Sequence, residues 1–587
     1  MHTKIRRRPT PQYCLRSIAG RATKNDATRY EQDPSFVGRP GGLRPLPPLI
    51  ARRELLAAAG AVLASGVRAT PFEPTWQSLA AGYRTPDWFR DAKLGIWAHW
   101  GPQCQPEFGD WYARLMYMQG HQPWDRGETA YEHHLKHYGH PSRAGFIDII
   151  GRWKAEHWQP DELLRRYVKA GARYFMAMGC HHDNLDLFAS KHHEWNSVRV
   201  GPKKDILGTW APLVREAGLK FGVSNHSSHA WHWWQTAYGY DAEGPMRGRR
   251  FDAYWIRKRH GKGRFWEGLD PQELYTGPYY VPPDGITSAA EMNAWHDRFD
   301  GQWLETAPTA NMRFVEKWLL RQKQLVEDYR PDLIYFDDTG IPFGPTGLEA
   351  VAHYYIKAAE WHGTPDVVLT AKRLGAFERR AVVEDVERGF VEGIRPEPWQ
   401  TDTCIGNWHY DRRLYENGGY KSAKQVVQRL ADVVSKNGNL LLNIPVRGDG
   451  TIDDKEEAIL DGITTWMQRN REAIYDTRPW RTFGEGPTKP PTGIMAEDQA
   501  KPFTAEDIRF TKKSEALYVI FLDWPHGESA IASLGSKALP DAAIERVELL
   551  GGSPLEFRRD ADALRLRVPP SDGAVVPTLR IRGRGLA

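Results

Sequence analysis

Asp332-Leu333-Ile334-Tyr335-Phe336-Asp337-Asp338 sets four apolar residues between acids. That is the length and texture of a strand buried on both faces, with its polar residues left for the ends. The pattern recurs upstream as Lys93-Leu-Gly-Ile-Trp-Ala-His99, Arg173-Tyr-Phe-Met-Ala-Met178 and Leu219-Lys-Phe-Gly-Val-Ser224. Downstream it recurs as Asp366-Val-Val-Leu-Thr-Ala371, Ala381-Val-Val-Glu-Asp-Val386 and Asn439-Leu-Leu-Leu-Asn-Ile444. Amphipathic helical stretches separate the runs, among them 160–170, with Gly171 placed to end it, and 313–328. Repeated strand–helix units predict a parallel sheet, either a closed barrel or an open doubly wound sheet. The polar residues favour closure. His99, His181, Asp337 and Glu387 stand at or just after strand ends in four separate units, and a barrel gathers such ends into one mouth. An open sheet gathers only those beside a switch point, and no G-x-G-x-x-G follows the first strand.

After residue 475 the texture changes. Ala516-Leu-Tyr-Val-Ile-Phe-Leu522, Ile544-Glu-Arg-Val-Glu-Leu-Leu550, Leu564-Arg-Leu-Arg-Val568 and Thr578-Leu-Arg-Ile-Arg582 alternate at period two between turn residues, the mark of antiparallel strands with one solvated face. The expected fold is therefore α/β. It is a (β/α)8-like barrel over 76–480 followed by a C-terminal antiparallel β-sandwich over 481–587. An insertion at 231–308, rich in Trp, Tyr, Gly and charge, interrupts the barrel and is read as part of the rim of its mouth.

Composition bounds the function. With 79 Lys and Arg against 74 Asp and Glu, the net charge is +5 over 587 residues. Much of it falls in the first 53 residues, so no concentrated basic face exists for nucleic acid. The 24 Trp and 24 Tyr suit a ligand with apolar ring faces, such as a sugar, though they also fill cores. Cys14, Cys104, Cys180 and Cys404 show no C-x-x-C or zinc-ribbon spacing. Residues 1–70 read as a leader. Arg52-Arg53 precede the short apolar run from Ala57 to Ser65, which resembles a twin-arginine export signal and is too short to span a bilayer. The expectation is an exported protein, periplasmic or secreted, with no membrane span.

Alternation along the quoted strand puts Leu333, Tyr335 and Asp337 on one face and Ile334, Phe336 and Asp338 on the other. One acid of the pair then points into the mouth. Cleaving a glycosidic bond with retention needs a carboxylate nucleophile and, roughly 5–5.5 Å away, a second carboxyl group to protonate the leaving oxygen. Val383-Glu384-Asp385-Val386-Glu387-Arg388-Gly389 offers three acids. Glu387 lies at the strand end, while Glu384 lies deeper, where an acid is more often ion-paired. The histidines form clusters, His181-His182, His192-His193, and His226 with His229 and His232. No H-E-x-x-H spacing supports a metal, so they are read as hydrogen-bonding groups for hydroxyls or as structural histidines.

These motifs together resemble the α-L-fucosidases of glycoside hydrolase family 29. The matching text begins with Phe89-Arg-Asp-Ala-Lys-Leu-Gly-Ile-Trp-Ala-His-Trp-Gly-Pro102, Asp110-Trp111-Tyr112 and Cys180-His-His-Asp183. It continues through Glu194-Trp-Asn-Ser-Val198, Gly201-Pro-Lys-Lys-Asp-Ile206, Gly218-Leu-Lys-Phe-Gly222 and the quoted strand to Val434-Ser-Lys-Asn-Gly-Asn-Leu-Leu-Leu-Asn-Ile444. The resemblance implies a retaining exo-glycosidase without metal or organic cofactor, acting on terminal fucose of oligosaccharides or glycoconjugates. It implies Asp337 as nucleophile, with His99, His181 and His182 binding the sugar and Trp111 beside it. Trp100, Asp110 and Tyr335 are grouped with the substrate-binding residues. The chain departs from the family text in having Asp110 for a common Glu and Gln400 where Trp-Glu is usual. It also has Gly179-Cys-His-His-Asp-Asn-Leu185 where Ala-Lys-His-His-Asp-Gly-Phe is common. Gln400 cannot donate a proton as an acid, which favours Glu387 as general acid/base, with Glu392 and Glu397 as alternatives. The same barrel acting on another sugar, such as an α-L-galactoside, and a non-catalytic carbohydrate-binding protein are the rival readings.

Overall fold

A computed structural model of the protein describes residues 72–121, 127–302, 306, 308, 311–571, 573 and 575–586. The leader-like stretch 1–70 and its twin arginines lie outside the described residues. Eight short strands close a parallel barrel in sequence order. They are β1 (Leu94–Ala98), β2 (Tyr174–Cys180), β3 (Lys220–Asn225), β4 (Leu333–Thr339), β5 (Val368–Lys372), β6 (Val383–Asp385), β7 (Trp399–Cys404) and β8 (Gly438–Asn443). The seam is made by β8 on β1, with Gly95 opposite Leu441 and Trp97 opposite Asn443. β1 and β2 are buried at every residue, which is why their sequences read as near-continuous apolar runs rather than alternating ones.

The apolar-run reading finds seven of these strands and misses β7. Trp399-Gln-Thr-Asp-Thr-Cys404 is buried throughout, yet four of its six residues are polar, because the barrel supplies their partners. The Tyr174 hydroxyl donates to Gln400 Oε1 at 3.0 Å, and Gln400 Nε2 donates to Asp385 at 2.7 Å. The Thr401 hydroxyl donates to the Val386 carbonyl at 2.7 Å.

Helices line the outside where the sequence period is 3.6. α1 (Pro160–Lys169) packs on α2 (Ile206–Glu216), and α3 (Met312–Tyr329) on α4 (Pro345–His362). The side chain of Asn311 caps the start of α3 by accepting from Phe314 N. α5 (Ala423–Ser435), with a Ser422–Gln425 capping box, and α6 (Asp454–Asn470) complete the side nearest the C-terminal sheets. The helical ring is incomplete. Between β5 and β6 there is only the turn Glu378–Arg380, and residues 386–398 between β6 and β7 form no helix.

Two antiparallel sheets follow. The larger orders β13 (Ala543–Leu549), β16 (Thr578–Arg584), β11 (Ala516–Phe521), β10 (Ile508–Lys513) and β9 (Arg478–Glu485). The smaller orders β12 (Glu528–Ile531), β15 (Leu564–Arg567) and β14 (Phe557–Arg559). Their inner faces share one core containing Trp480, Phe510, Val519, Phe521, Leu564, Leu566 and Ile581, the layered arrangement that period-two alternation demands. Cys104, Cys180 and Cys404 are buried and free. Among the described residues no helix is long and apolar enough to cross a membrane.

Barrel and sheets are tied through a buried ionic cluster. Asp432 on α5 accepts from Arg509 of β10 at 2.7 Å and from Lys436 at 3.1 Å, and all three side chains are buried. Burial alone would raise the Asp432 carboxyl; Lys436, Arg509 and Arg429 outweigh it and hold it at about 2. Removing one partner of a buried pair strands the other charge without solvent. Asp432→Ala is therefore expected to destabilise the protein by about 3–5 kcal/mol, measured by urea unfolding. A loss below about 1 kcal/mol, the scale of surface pairs, would show that the cluster is not a structural tie.

Candidate active site

β4 carries Asp337 and Asp338 to the barrel mouth, and the pleat parts them. Asp338 turns into the wall, where it accepts from Ser228 Oγ at 2.6 Å and faces His229 Nε2 at 3.0 Å. Asp337 turns inward with its side chain 19% exposed, enough to meet a ligand. Its Oδ2 lies 3.3 Å from both His182 Nε2 and His226 Nδ1. Its Oδ1 receives the Lys372 ammonium and lies 3.4 Å from the Tyr335 hydroxyl. Lys372, the last residue of β5, also donates to Glu387 Oε2 at 2.6 Å. One ammonium thus lies between two carboxylates from neighbouring strand ends. Burial would raise the Asp337 carboxyl, but Lys372 and then His226 hold it well below the usual carboxylate range. Burial likewise works against the charge on Lys372, and Asp337, Glu387 and Asp402 more than restore it.

Imidazoles form the wall beside this pair. His99 follows β1, His181 and His182 follow β2, and His226 follows β3. Ring centroids lie 5.0 Å apart for His99 and His181, 5.1 Å for His99 and His226, and 5.0 Å for His181 and His226. His409 lies 4.7 Å from both His99 and His181. Burial, reinforced by the neighbouring imidazoles, pushes His99 and His181 well below the ordinary histidine range. Burial takes His226 down to about 4 against the opposing pull of Asp337. These rings are neutral at physiological pH, each with one donor and one acceptor. Neither ring nitrogen of the buried His99 has a hydrogen-bond partner among the described residues, the signature of a polar group that awaits a ligand.

The surroundings fix these side chains. The loop after β2 is held from behind by buried Arg321, which donates to Asp186 and to Asn184 Oδ1 at 2.9 Å. Gln103 Nε2 lies 2.6 Å from His181 Nδ1, and His182 Nδ1 lies 2.8 Å from the His226 carbonyl. Below the mouth the Tyr335 hydroxyl donates to Asp402 at 2.8 Å. Burial and the neighbouring acids lift Asp402 well above its usual range, and burial lifts Asp385 to about 6. The barrel interior therefore stores a proton close beneath Lys372.

Of the residues expected from sequence, Asp337, Glu387, His99, His181, His182 and Tyr335 converge. Asp110 reaches the same region by accepting from the Trp408 and His409 amides at 3.2 and 2.7 Å, so its first task is to hold that loop. Trp111 is half-buried at the rim with a left-handed backbone, φ 60°, a strain that a bulky residue keeps only where the fold demands it. Trp100 does not join the site. It is buried between Trp153 and Trp158 and donates to the Arg447 carbonyl at 2.8 Å, because it follows His99 by one residue and so faces the other way. Glu384 is spoken for by Arg379, Arg395 and the Leu374 amide, whereas Glu387 is the glutamate bound to Lys372. His193 is structural, its Nε2 2.8 Å from the Asn184 carbonyl. The insertion read as rim begins as an inner wall instead. Residues 231–240 are buried, and the Trp233 ring lies 5.8 Å from that of His182.

Sequence reasoning omitted Lys372, Trp408 and His409 from the site, and left His226 among histidines that either bind hydroxyls or are structural. His226 and Lys372 carry the same signal as His99, a polar residue just at or after an apolar run. Trp408 and His409 follow β7, the strand that the apolar-run reading does not detect. His99, His181 and His226 bring their ligand atoms within 4.8 Å of one another, as do Glu128, His133 and His137. Three imidazoles so arranged form a set that can gather a metal ion, and equally one that can grip adjacent hydroxyls.

Residues 61–472 match the family described as Alpha-L-fucosidase, and residues 500–582 match the Alpha-L-fucosidase C-terminal domain. The human plasma alpha-L-fucosidase is 25% identical over 507 residues, covering 83% of this chain and 86% of that protein. The rat tissue alpha-L-fucosidase is 23% identical over 511 residues, covering 85% and 88%. The Thermotoga maritima alpha-fucosidase, solved in complex with fucose, superposes with a TM-score of 0.60 at 25% identity, covering 87% of this chain and 99% of that one.

A buried histidine held below its unfolded value makes stability depend on pH. The unfolded chain takes up the proton as pH falls below about 6.5, while the folded ring of His226 resists until about 4. Stability contributed in this way is intact above about 6.5 and is lost between there and about 4. His226→Gln is expected to flatten the fall in thermal stability across that window by up to one proton. Thermal unfolding of both proteins from pH 7 to 4 checks this, and parallel curves would refute it.

Proposed function

The chain belongs to the α-L-fucosidase family, glycoside hydrolase family 29, and from that membership and the site geometry we propose a retaining α-L-fucosidase that removes terminal fucose from fucosylated oligosaccharides or glycoconjugates. The observation that carries the retaining mechanism is the single Lys372 ammonium shared by Asp337 and Glu387. Two carboxylates bound to one nitrogen have their nearest oxygens no more than two hydrogen-bond lengths apart. That fits the roughly 5–5.5 Å of a nucleophile and its acid/base partner, and is too close for the roughly 6.5–9.5 Å that lets water enter an inverting site.

In the first step Asp337 attacks the anomeric carbon while Glu387, carrying a proton, delivers it to the departing glycosidic oxygen. The carbon–oxygen bond breaks and the glycosyl ester forms. Asp337 is then neutral, and the Lys372 ammonium balances the new carboxylate at Glu387. In the second step Glu387 takes a proton from water, the hydroxide oxygen bonds to the anomeric carbon, and Asp337 leaves as carboxylate. The ammonium follows the negative charge from one acid to the other. Neutral His99, His181, His182 and His226 hold the sugar hydroxyls, and Trp111 faces its C6 methyl side. The arginine pair and apolar run within 1–70 support export to the periplasm or beyond as part of the same proposal.

Asp337→Ala is expected to lower kcat/KM on an aryl α-L-fucoside by about four to six orders of magnitude, the range over which loss of a member of a covalent catalytic unit acts, with the far-UV circular dichroism unchanged. Full activity in that variant would end the nucleophile assignment. Glu387→Ala should regain aryl fucoside turnover in azide, giving the α-fucosyl azide; an active variant indifferent to azide would move the role to another glutamate. Release of phenol from an aryl α-L-galactoside but not from the fucoside would favour the other-sugar reading, and release from neither would favour a binding protein.

A further inference from the structure

The connection that carries Glu387 leaves β6 at a place where the barrel has no covering helix, and a segment of the C-terminal sheets fills the gap. Between β9 and β10 the chain makes an excursion that lies against residues 387–390, running from one antiparallel bridge between Gly493 and Phe390 into the short 3-10 turn Glu497–Gln499. Met495 N donates to the Glu387 carbonyl at 2.8 Å, Glu497 N to the Arg388 carbonyl at 2.8 Å, and Gly493 N to the Phe390 carbonyl at 2.9 Å. On the opposite edge Val386 N and Arg388 N donate to the Gln400 and Asp402 carbonyls of β7, each at 2.9 Å. The acid-bearing loop is thus held between the barrel and a hydrogen-bonded segment contributed by the second domain. The approach is close enough that a Cβ on Gly389 would lie 2.2 Å from the Gly493 carbonyl oxygen.

Side chains lock this ladder. Arg388 holds a left-handed backbone, φ 42°, so Glu387 and Arg388 do not continue the strand pleat and need another restraint. Arg388 meets Asp498 at 2.8 Å and Glu497 at 3.6 Å. The Glu497 carboxylate accepts from Thr403 Oγ1 of β7 at 2.6 Å and faces Lys421 at 3.3 Å and Arg429 at 4.0 Å. Arg429 in turn lies over the Phe390 ring at 3.7 Å and donates to the Gly389 carbonyl. Ile494 packs against Val386, Val391 and Trp399. Arg388, Thr403, Lys421 and Arg429 converge on Glu497, which is half-buried and gives three cations their shared counter-charge.

We propose that the segment Gly493 to Asp498, with Glu497 as its pivot, is the positioning element of the general acid/base Glu387, so that the C-terminal domain takes part in proton delivery to the leaving group. This rests on the acid/base reading of Glu387. Misplacing a general acid costs most when the leaving group must be protonated and least when it departs readily as an anion. Protonation by a placed acid is worth about 10²–10⁴-fold, and displacing a reacting group by about 1 Å costs about 10²-fold.

The test compares kcat/KM on phenyl α-L-fucoside, a poor leaving group, with that on 2,4-dinitrophenyl α-L-fucoside, a good one. Glu497→Gln keeps the shape and removes the counter-charge. It is expected to lose about ten- to a hundred-fold on the phenyl substrate, and markedly less on the dinitrophenyl one. Asp498→Asn, which loosens the other hold on Arg388 from a more accessible position, should show a smaller shift in the same ratio, and it decides the matter if Glu497→Gln does not fold. Equal losses on both substrates, or no loss on either, would overturn the positioning role. Glu387→Gln is measured beside them. If it lacks the leaving-group dependence, the acid/base reading itself fails; if it has the dependence and the other two variants lack it, only the positioning role fails.

Discussion

Lys372 is the interaction on which the site depends. Two carboxylates close enough to act on one bond repel each other, and in a barrel mouth walled by protein that repulsion is poorly screened. An ammonium between them lets both stand there, keeps the Asp337 carboxyl ionised, and tolerates a change in which of the two is charged. No local structure could assemble this trio. Asp337 ends β4, Lys372 ends β5 and Glu387 follows β6. The parallel pairing of β4 with β5 and of β5 with β6, which places successive strand ends side by side at one rim, brings them together.

Around that charge cluster burial works against further charge on the histidines and carboxyls that line the barrel. The histidine wall is buried deeply enough to lose its protons, and the Asp385 and Asp402 carboxyls beneath are raised by the same burial. Desolvation acts in opposite directions on the two residue types, and in both it removes charge. The result is one ion cluster in a field of neutral donors and acceptors, a setting in which hydroxyls are bound by hydrogen bonds and the charge that moves during reaction is confined to two carboxylates.

The incomplete helical ring gives the C-terminal sheets their relevance to the mouth. Where a covering helix is missing between β6 and β7, backbone hydrogen bonds from the amides of Gly493, Met495 and Glu497 take its place, and the Asp432–Arg509 tie fixes that domain to α5. A covering helix pairs its amides within itself, whereas this segment spends its amides on the carbonyls of Glu387, Arg388 and Phe390.

What the sequence by itself determined was the alternation of buried strands with helices, the polar residues at the strand ends, and the separation of Asp337 from Asp338. Each is a local consequence of period and pleat, visible in six or seven residues at a time. It also placed Trp100 among the sugar-binding residues, although the same pleat that brings His99 inward turns Trp100 into a cluster of tryptophans. Only the tertiary structure decided that β7 exists, because its polar side chains are stable inside the barrel through partners on β2, on β4, on and just after β6, and in the C-terminal segment. It likewise decided which of several glutamates meets Asp337. Position in the sequence set Glu387 ahead of Glu384 but left Glu392 and Glu397 open, and what separates them is which one shares an ammonium held at the end of a different strand.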